Sequence, residues 1–72
     1  MPLIEIKVFE QELSTEQTRE LISRVTDAVT SVTSEKLRDV TWVIVNEVPS
    51  GNWGVGGTAL GLEDVKKIVQ SD

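Results

Sequence analysis

The sequence predicts an α/β fold built on a single βαβ unit. Three observations predict it: an alternating apolar strand at the start, a capped amphipathic helix after it, and a valine-rich second strand. Two strands joined by a helix of this length should run parallel, with a right-handed crossover.

The first strand is read over residues 3–9. Ile4, Ile6 and Val8 fall on one face; Leu3, Glu5, Lys7 and Phe9 fall on the other. Glu10, Gln11, Glu12 and Leu13 form a short connection. Ser14-Thr15-Glu16-Gln17 then has the S-x-x-Q form of a capping box. Leu21, Ile22, Val25, Ala28, Val29 and Val32 follow as one apolar stripe, which predicts a helix of about 19 residues. Residues 33–39 are a polar break. The second strand spans residues 40–48, where Trp42, Val43, Ile44 and Val45 give it the β-branched and aromatic content of a strand. A glycine-rich segment around Trp53 (residues 51–57) predicts a tight hairpin. Leu62, Val65, Ile68 and Val69 recur at helical spacing, so a short terminal helix should occupy residues 62–70.

Size and composition bound what such a chain does. Its 72 residues make one domain, read as 1–72, and chains this short usually need a staple or a partner. With no cysteine and no histidine, neither a disulfide nor a histidine-based metal site is available. Yet 39% of the residues are hydrophobic and the mean hydropathy is -0.08, which is too apolar for a disordered chain. Self-association is the remaining way to cover that surface. A net charge of -5 makes nucleic acid a poor partner. No apolar run approaches the roughly 18 residues of a membrane span, and the start lacks the basic and apolar regions of a signal peptide. A cytosolic protein without a membrane partner is the expectation.

The missing His and Cys also exclude Ser-His-Asp and Cys-His nucleophilic sites. The glycines at 54, 56 and 57 precede only a short tail, not the helix of a dinucleotide site. One unusual group is left. Pro2 is small enough for an aminopeptidase to remove Met1, which would leave a secondary amine at the start of a strand. An α-amino group has a pKa of roughly 7.7–8.0, and apolar burial lowers it. Such an amine serves as a general base, or as a nucleophile toward carbonyls. The alternative is a strand-start proline that blocks an edge.

Pro2 opening a strand, S-x-x-Q opening a long helix, Asn46-Glu47 near the end of strand two and Gly51-Asn52-Trp53-Gly54-Val55-Gly56-Gly57 together resemble the 4-oxalocrotonate tautomerase family. The resemblance runs from Pro2 to Gly57. It implies subunits whose dimers share a four-stranded sheet and assemble as a homohexamer, a trimer of dimers. It implies no cofactor and no metal. It also implies proton transfer between carbons of a small keto/enol acid, with Pro2 as catalytic base and an aromatic pocket wall at Trp53. The other reading of Trp53 is a residue that packs an interface.

Two departures from the family matter. Its first arginine lies in the loop after strand one, which here reads Glu10-Gln11-Glu12-Leu13, without a cation. Its second lies in strand two, where this chain has Trp42. Those arginines are implied to hold a substrate carboxylate and polarise its carbonyl. Arg38, four residues before Trp42 at the entrance to strand two, is the candidate replacement, although a solvated surface charge is the commoner role for it, as it is for Arg19, Arg24 and Lys7. The expected substrate-binding set is therefore Trp53, Trp42 and Arg38. Two alternatives stay open: a silent subunit in a heterohexamer with an arginine-bearing partner, and a proline-dependent decarboxylase- or dehalogenase-like lyase.

Overall fold

The computed structural model of the protein describes residues 1–71. Its elements are β1 (Leu3–Phe9), α1 (Thr15–Val32), a 3₁₀ helix (Glu35–Val40), β2 (Trp42–Val48), β3 (Trp53–Val55), β4 (Thr58–Leu60) and α2 (Leu62–Gln70). β1 and β2 pair in parallel from Leu3↔Trp42 to Phe9↔Val48, and α1 makes the crossover. The βαβ unit is as the alternation predicted.

Burial alternates along β1. Ile4, Ile6 and Val8, with Val43 and Val45 of β2, are half-buried on the face that α1 covers. Leu3, Glu5, Lys7, Trp42 and Ile44 are exposed on the other. α1 starts where its cap is built. Ser14 Oγ accepts the Gln17 N–H at 3.0 Å, and Gln17 Oε1 accepts the Ser14 N–H at 2.9 Å.

Residues 33–39 are not a plain polar break. Ser34 Oγ accepts the Lys36 N–H and caps a turn of 3₁₀ helix that takes in Val40, so β2 begins at Trp42, later than the sequence predicted. The turn is held from outside by side chains of α1, which a local pattern does not reveal. The glycine-rich segment is a two-residue hairpin: Gly56 and Gly57 have φ of 59° and 86°, as a primed turn demands. α2 is preceded by Gly61 as its N-cap, whose N–H donates to Asp64 Oδ2 at 2.9 Å, and the Leu62 N–H donates to Ser50 Oγ at 2.9 Å. Its Ile68 and Val69 are 73% and 78% exposed.

The core of one chain is sparse. Among the described residues only Phe9 and Thr30 are buried. The chain exposes 5527 Å², where a compact monomer of this mass exposes about 4,400 Å². Its radius of gyration is 14.8 Å, against about 11 Å for a compact chain of this length. Large apolar side chains stay exposed at the end of α1 (Val32), in the hairpin (Val55), in α2 (Ile68, Val69) and on the uncovered sheet face (Leu3, Trp42, Ile44).

Candidate active site

Pro2 stands at the mouth of β1. Its carbonyl accepts the Trp42 N–H at 2.9 Å, so β2 clamps the residue through its oxygen and leaves its nitrogen out of the ladder. The pyrrolidine is half-buried, whereas Met1 before it is 84% exposed and accessible to removal. Trp42 pairs with Leu3, and both side chains lie on the uncovered face with Ile44 beyond them. Further along that face Asn46 Nδ2 donates to Glu5 Oε2 at 2.7 Å, and Lys7 faces Glu5 at 3.7 Å. The sheet face is thus apolar at the Pro2 end and polar beyond it.

Trp53 is elsewhere. Its ring stacks on Phe9, centroids 4.4 Å apart and planes at 18°, while Nε1–H donates to the Val48 carbonyl at 3.2 Å. Phe9 is at the far end of β1 from Pro2, about 20 Å away at strand rise. Within one chain Pro2 and Trp42 come together, and Trp53 does not join them. The Phe9–Trp53 stack itself escapes sequence reading: alternation assigned Phe9 to the open face, and only the hairpin folding back covers it.

Arg38 has partners of its own. Nη2 meets Asp27 Oδ1 at 2.9 Å and Nε meets Glu35 Oε2 at 3.0 Å, and Nη2 also donates to Thr30 Oγ1 at 3.2 Å. Thr30, buried, donates in turn to Glu35 Oε1 at 3.0 Å. The guanidinium ties the 3₁₀ helix to α1, and so fixes the approach to Trp42. Hydrogen bonds from Arg38, then from Thr30, hold the Glu35 carboxyl below the usual carboxylate range. The Arg38 pKa is raised in return, by Glu35 first and then Asp27. A folded-state pKa below the unfolded one means stability that is complete above about pH 4.3 and lost as pH falls through the folded value. Glu35→Gln is therefore expected to melt below wild type at pH 7. The gap in Tm should start to narrow as pH falls past about 4.3 and close only below the lowered folded value, and thermal melts down the acid range check it.

The loop after β1 has no cation and is folded on itself. Glu12 Oε1 accepts the Phe9 N–H and the Glu12 N–H donates to the Phe9 carbonyl, both at 3.0 Å, with Gln11 at a φ of 69°. Beside it a groove of about 290 Å³ opens between this loop, the start of α1 and α2. Its apolar lining is Leu13, Leu62, Val65 and the exposed Val69, and among the described residues Lys66 is its one cation. Local sequence pattern does not single Lys66 out, because the groove forms only where α2 meets the loop after β1. Among the described residues no three His, Cys, Asp or Glu side chains gather to hold a metal ion, and no helix is long and apolar enough to cross a membrane.

The family model described as tautomerase enzyme matches residues 2–63, from Pro2 to the first turn of α2. The chain belongs to the tautomerase family. It is 35% identical over 60 residues to the probable tautomerase K2 of Dickeya dadantii (strain 3937), covering 83% of this chain and 88% of that one. Among solved structures it is similar to the 4-oxalocrotonate tautomerase isozymes from Methylibium petroleiphilum. That match has a TM-score of 0.72 and 31% identity over 81% of this chain and 90% of the other. It is also similar to TomN, a 4-oxalocrotonate tautomerase homologue in the tomaymycin biosynthetic pathway. There the TM-score is 0.73 and the identity 25%, over 99% of this chain and 100% of TomN. Tautomerase membership makes this an isomerase-type enzyme and accounts for the βαβ subunit and its hairpin. The rest of α2, from residue 64 on, lies beyond the family match.

Proposed function

We propose that the chain is a cofactor-independent keto–enol tautomerase whose base is the Pro2 nitrogen once Met1 is removed. The observation that carries this is Pro2 itself. In a tautomerase-family chain without His or Cys, it stands at the mouth of β1 with its carbonyl clamped and its nitrogen outside the ladder. A half-buried secondary amine there is uncharged near neutral pH more readily than a solvated one. It removes a proton from the carbon next to a carbonyl, leaving an enolate. The ammonium returns the proton to oxygen or carbon, so no atom is gained or lost. Backbone N–H groups or a neighbouring copy stabilise the enolate.

A second copy supplies the aromatic wall. Among the described residues the outer edge of β1 is unpaired, and antiparallel pairing of two such edges makes a four-stranded sheet. That arrangement lays Pro2 of one copy beside the Phe9–Trp53 end of the other. Homohexamers of such dimers cover the apolar face of Leu3, Trp42 and Ile44. Sedimentation at micromolar concentration is expected to give an assembly of six 7.9 kDa chains, with a dimer as the smallest folded unit. A well-folded monomer would refute it.

The substrate this site suits is a small 2-oxo acid with an apolar, flat body, because Trp42 and Trp53 are its walls and Arg38 is engaged with Asp27 and Glu35. The test is ketonisation of the phenylpyruvate enol by protein whose intact mass confirms loss of Met1. A rate no faster than buffer would instead favour the silent-subunit reading, which the lack of both family arginines motivates; co-purification of a second, similar-sized chain would support that reading.

A further inference from the structure

We infer that Lys66, on the helix that extends past the family match, binds the substrate carboxylate and so sets the specificity of the neighbouring copy's Pro2. The inference deepens the proposed tautomerase function and rests on it. Its starting point is the groove between the loop after β1, the start of α1 and α2. At about 290 Å³ it is just under the usual range of ligand sites, about 300–1,000 Å³. A floor of the half-buried Leu13, Leu62 and Val65, with the exposed Val69 at its rim, suits an apolar body.

The polar groups around that floor suit one carboxylate. Gln17 has its amide oxygen taken by the Ser14 N–H, so what it has left to offer is an NH₂ donor. Among the described residues the one carboxylate in the lining, Glu12, is turned to the Phe9 N–H through Oε1. Among the described residues Lys66 is the only cation in the lining, and its ion pair there, to the exposed Glu63 at 3.5 Å, is too solvated to compete strongly for it. On a chain of net charge -5, an anionic ligand finds little attraction without such a local ammonium.

Position completes the argument. The groove opens beside residues 11–13, directly after Phe9. That is the end of β1 that antiparallel edge pairing places against Pro2 of the second copy. Pro2 and Lys66 of a single chain lie at opposite ends of the sheet, so each site would draw its base from one copy and its ammonium from the other. Lys67, next along α2, does not line the groove and serves as an internal control.

The experiment compares wild type, Lys66→Gln, Lys66→Arg and Lys67→Gln, all with Met1 removed. Lys66→Gln is expected to raise KM for the phenylpyruvate enol about tenfold, or about 1.4 kcal/mol, with kcat within a factor of two. Lys66→Arg should restore most of the loss. Calorimetry with phenylacetate, an unreactive aryl carboxylate, should show the same tenfold weakening, and the neutral phenylacetamide should show none. Equal affinities for phenylacetate in wild type and Lys66→Gln would overturn the assignment, as would an equal loss in Lys67→Gln. The calorimetric arm needs no turnover. If wild type binds phenylacetate through Lys66 but does not turn over the enol, the proline base fails and the carboxylate site stands.

Discussion

Protein that keeps Met1 is expected to lose proton-transfer activity by about 10²- to 10⁴-fold, the usual contribution of a positioned general base. With Met1 attached, the Pro2 nitrogen is an amide and has no basic lone pair. The fold should not notice. What Pro2 gives the sheet is its carbonyl, which accepts the Trp42 N–H at 2.9 Å whether or not Met1 precedes it. Pro2→Ala, processed to an amino-terminal alanine, should keep a trace of activity, since a primary amine remains in place. Intact mass fixes the terminus, sedimentation and circular dichroism report the fold, and enol ketonisation reports the chemistry. Full turnover by mass-confirmed Met1 protein would remove Pro2 from the mechanism.

The parts of the fold that were legible in the sequence are those governed by local rules. Ile4, Ile6 and Val8 alternate because a strand has period two, and one helix covers that face. Ser14 and Gln17 mark the start of α1 because the cap is a contact between residues three apart. Gly56 and Gly57 mark the hairpin because only glycine takes two positive φ values cheaply. The 3₁₀ helix was not legible. Its anchor is Arg38, and two of the partners, Asp27 and Thr30, are a full turn or more of α1 away in sequence.

The site divides along the same line. Pro2 and Trp42 were each legible as candidates but not as neighbours, and parallel pairing explains their meeting: the strand that starts at Leu3 starts opposite Trp42. Trp53 was legible as a large ring among glycines, but its distance from Pro2 follows from strand length and the direction of the hairpin. Lys66 was invisible as a site residue because its setting depends on how α2 leans on the loop after β1. A lone lysine on a short helix carries no such signal.

Trp42→Arg is expected to shift kcat/KM from an aryl-pyruvate enol toward a dicarboxylate such as 2-hydroxymuconate by at least about tenfold. Wild type should favour the aryl compound. Position 42 is beside Leu3 on the face that α1 leaves open, at the Pro2 end of the sheet, where the indole does not pack into the single chain's own core. The indole offers a flat apolar wall, which suits an aromatic ring and leaves a second carboxylate without a partner. A guanidinium offers a fork that matches a carboxylate with two hydrogen bonds. Hydrogen bonds to charged groups contribute about 1.5–3 kcal/mol, which sets the tenfold floor for the shift. The other end of the substrate keeps its ammonium at Lys66, so the first carboxylate stays served in both proteins. The ratio of kcat/KM values is the right measure, because it compares transition-state stabilisation for two substrates on one protein. A wild-type preference for the dicarboxylate would mean that another cation of the assembly already stands near Pro2. An unchanged ratio in a folded Trp42→Arg hexamer would place residue 42 outside the site, and the tryptophan would then be covering the sheet face for assembly alone.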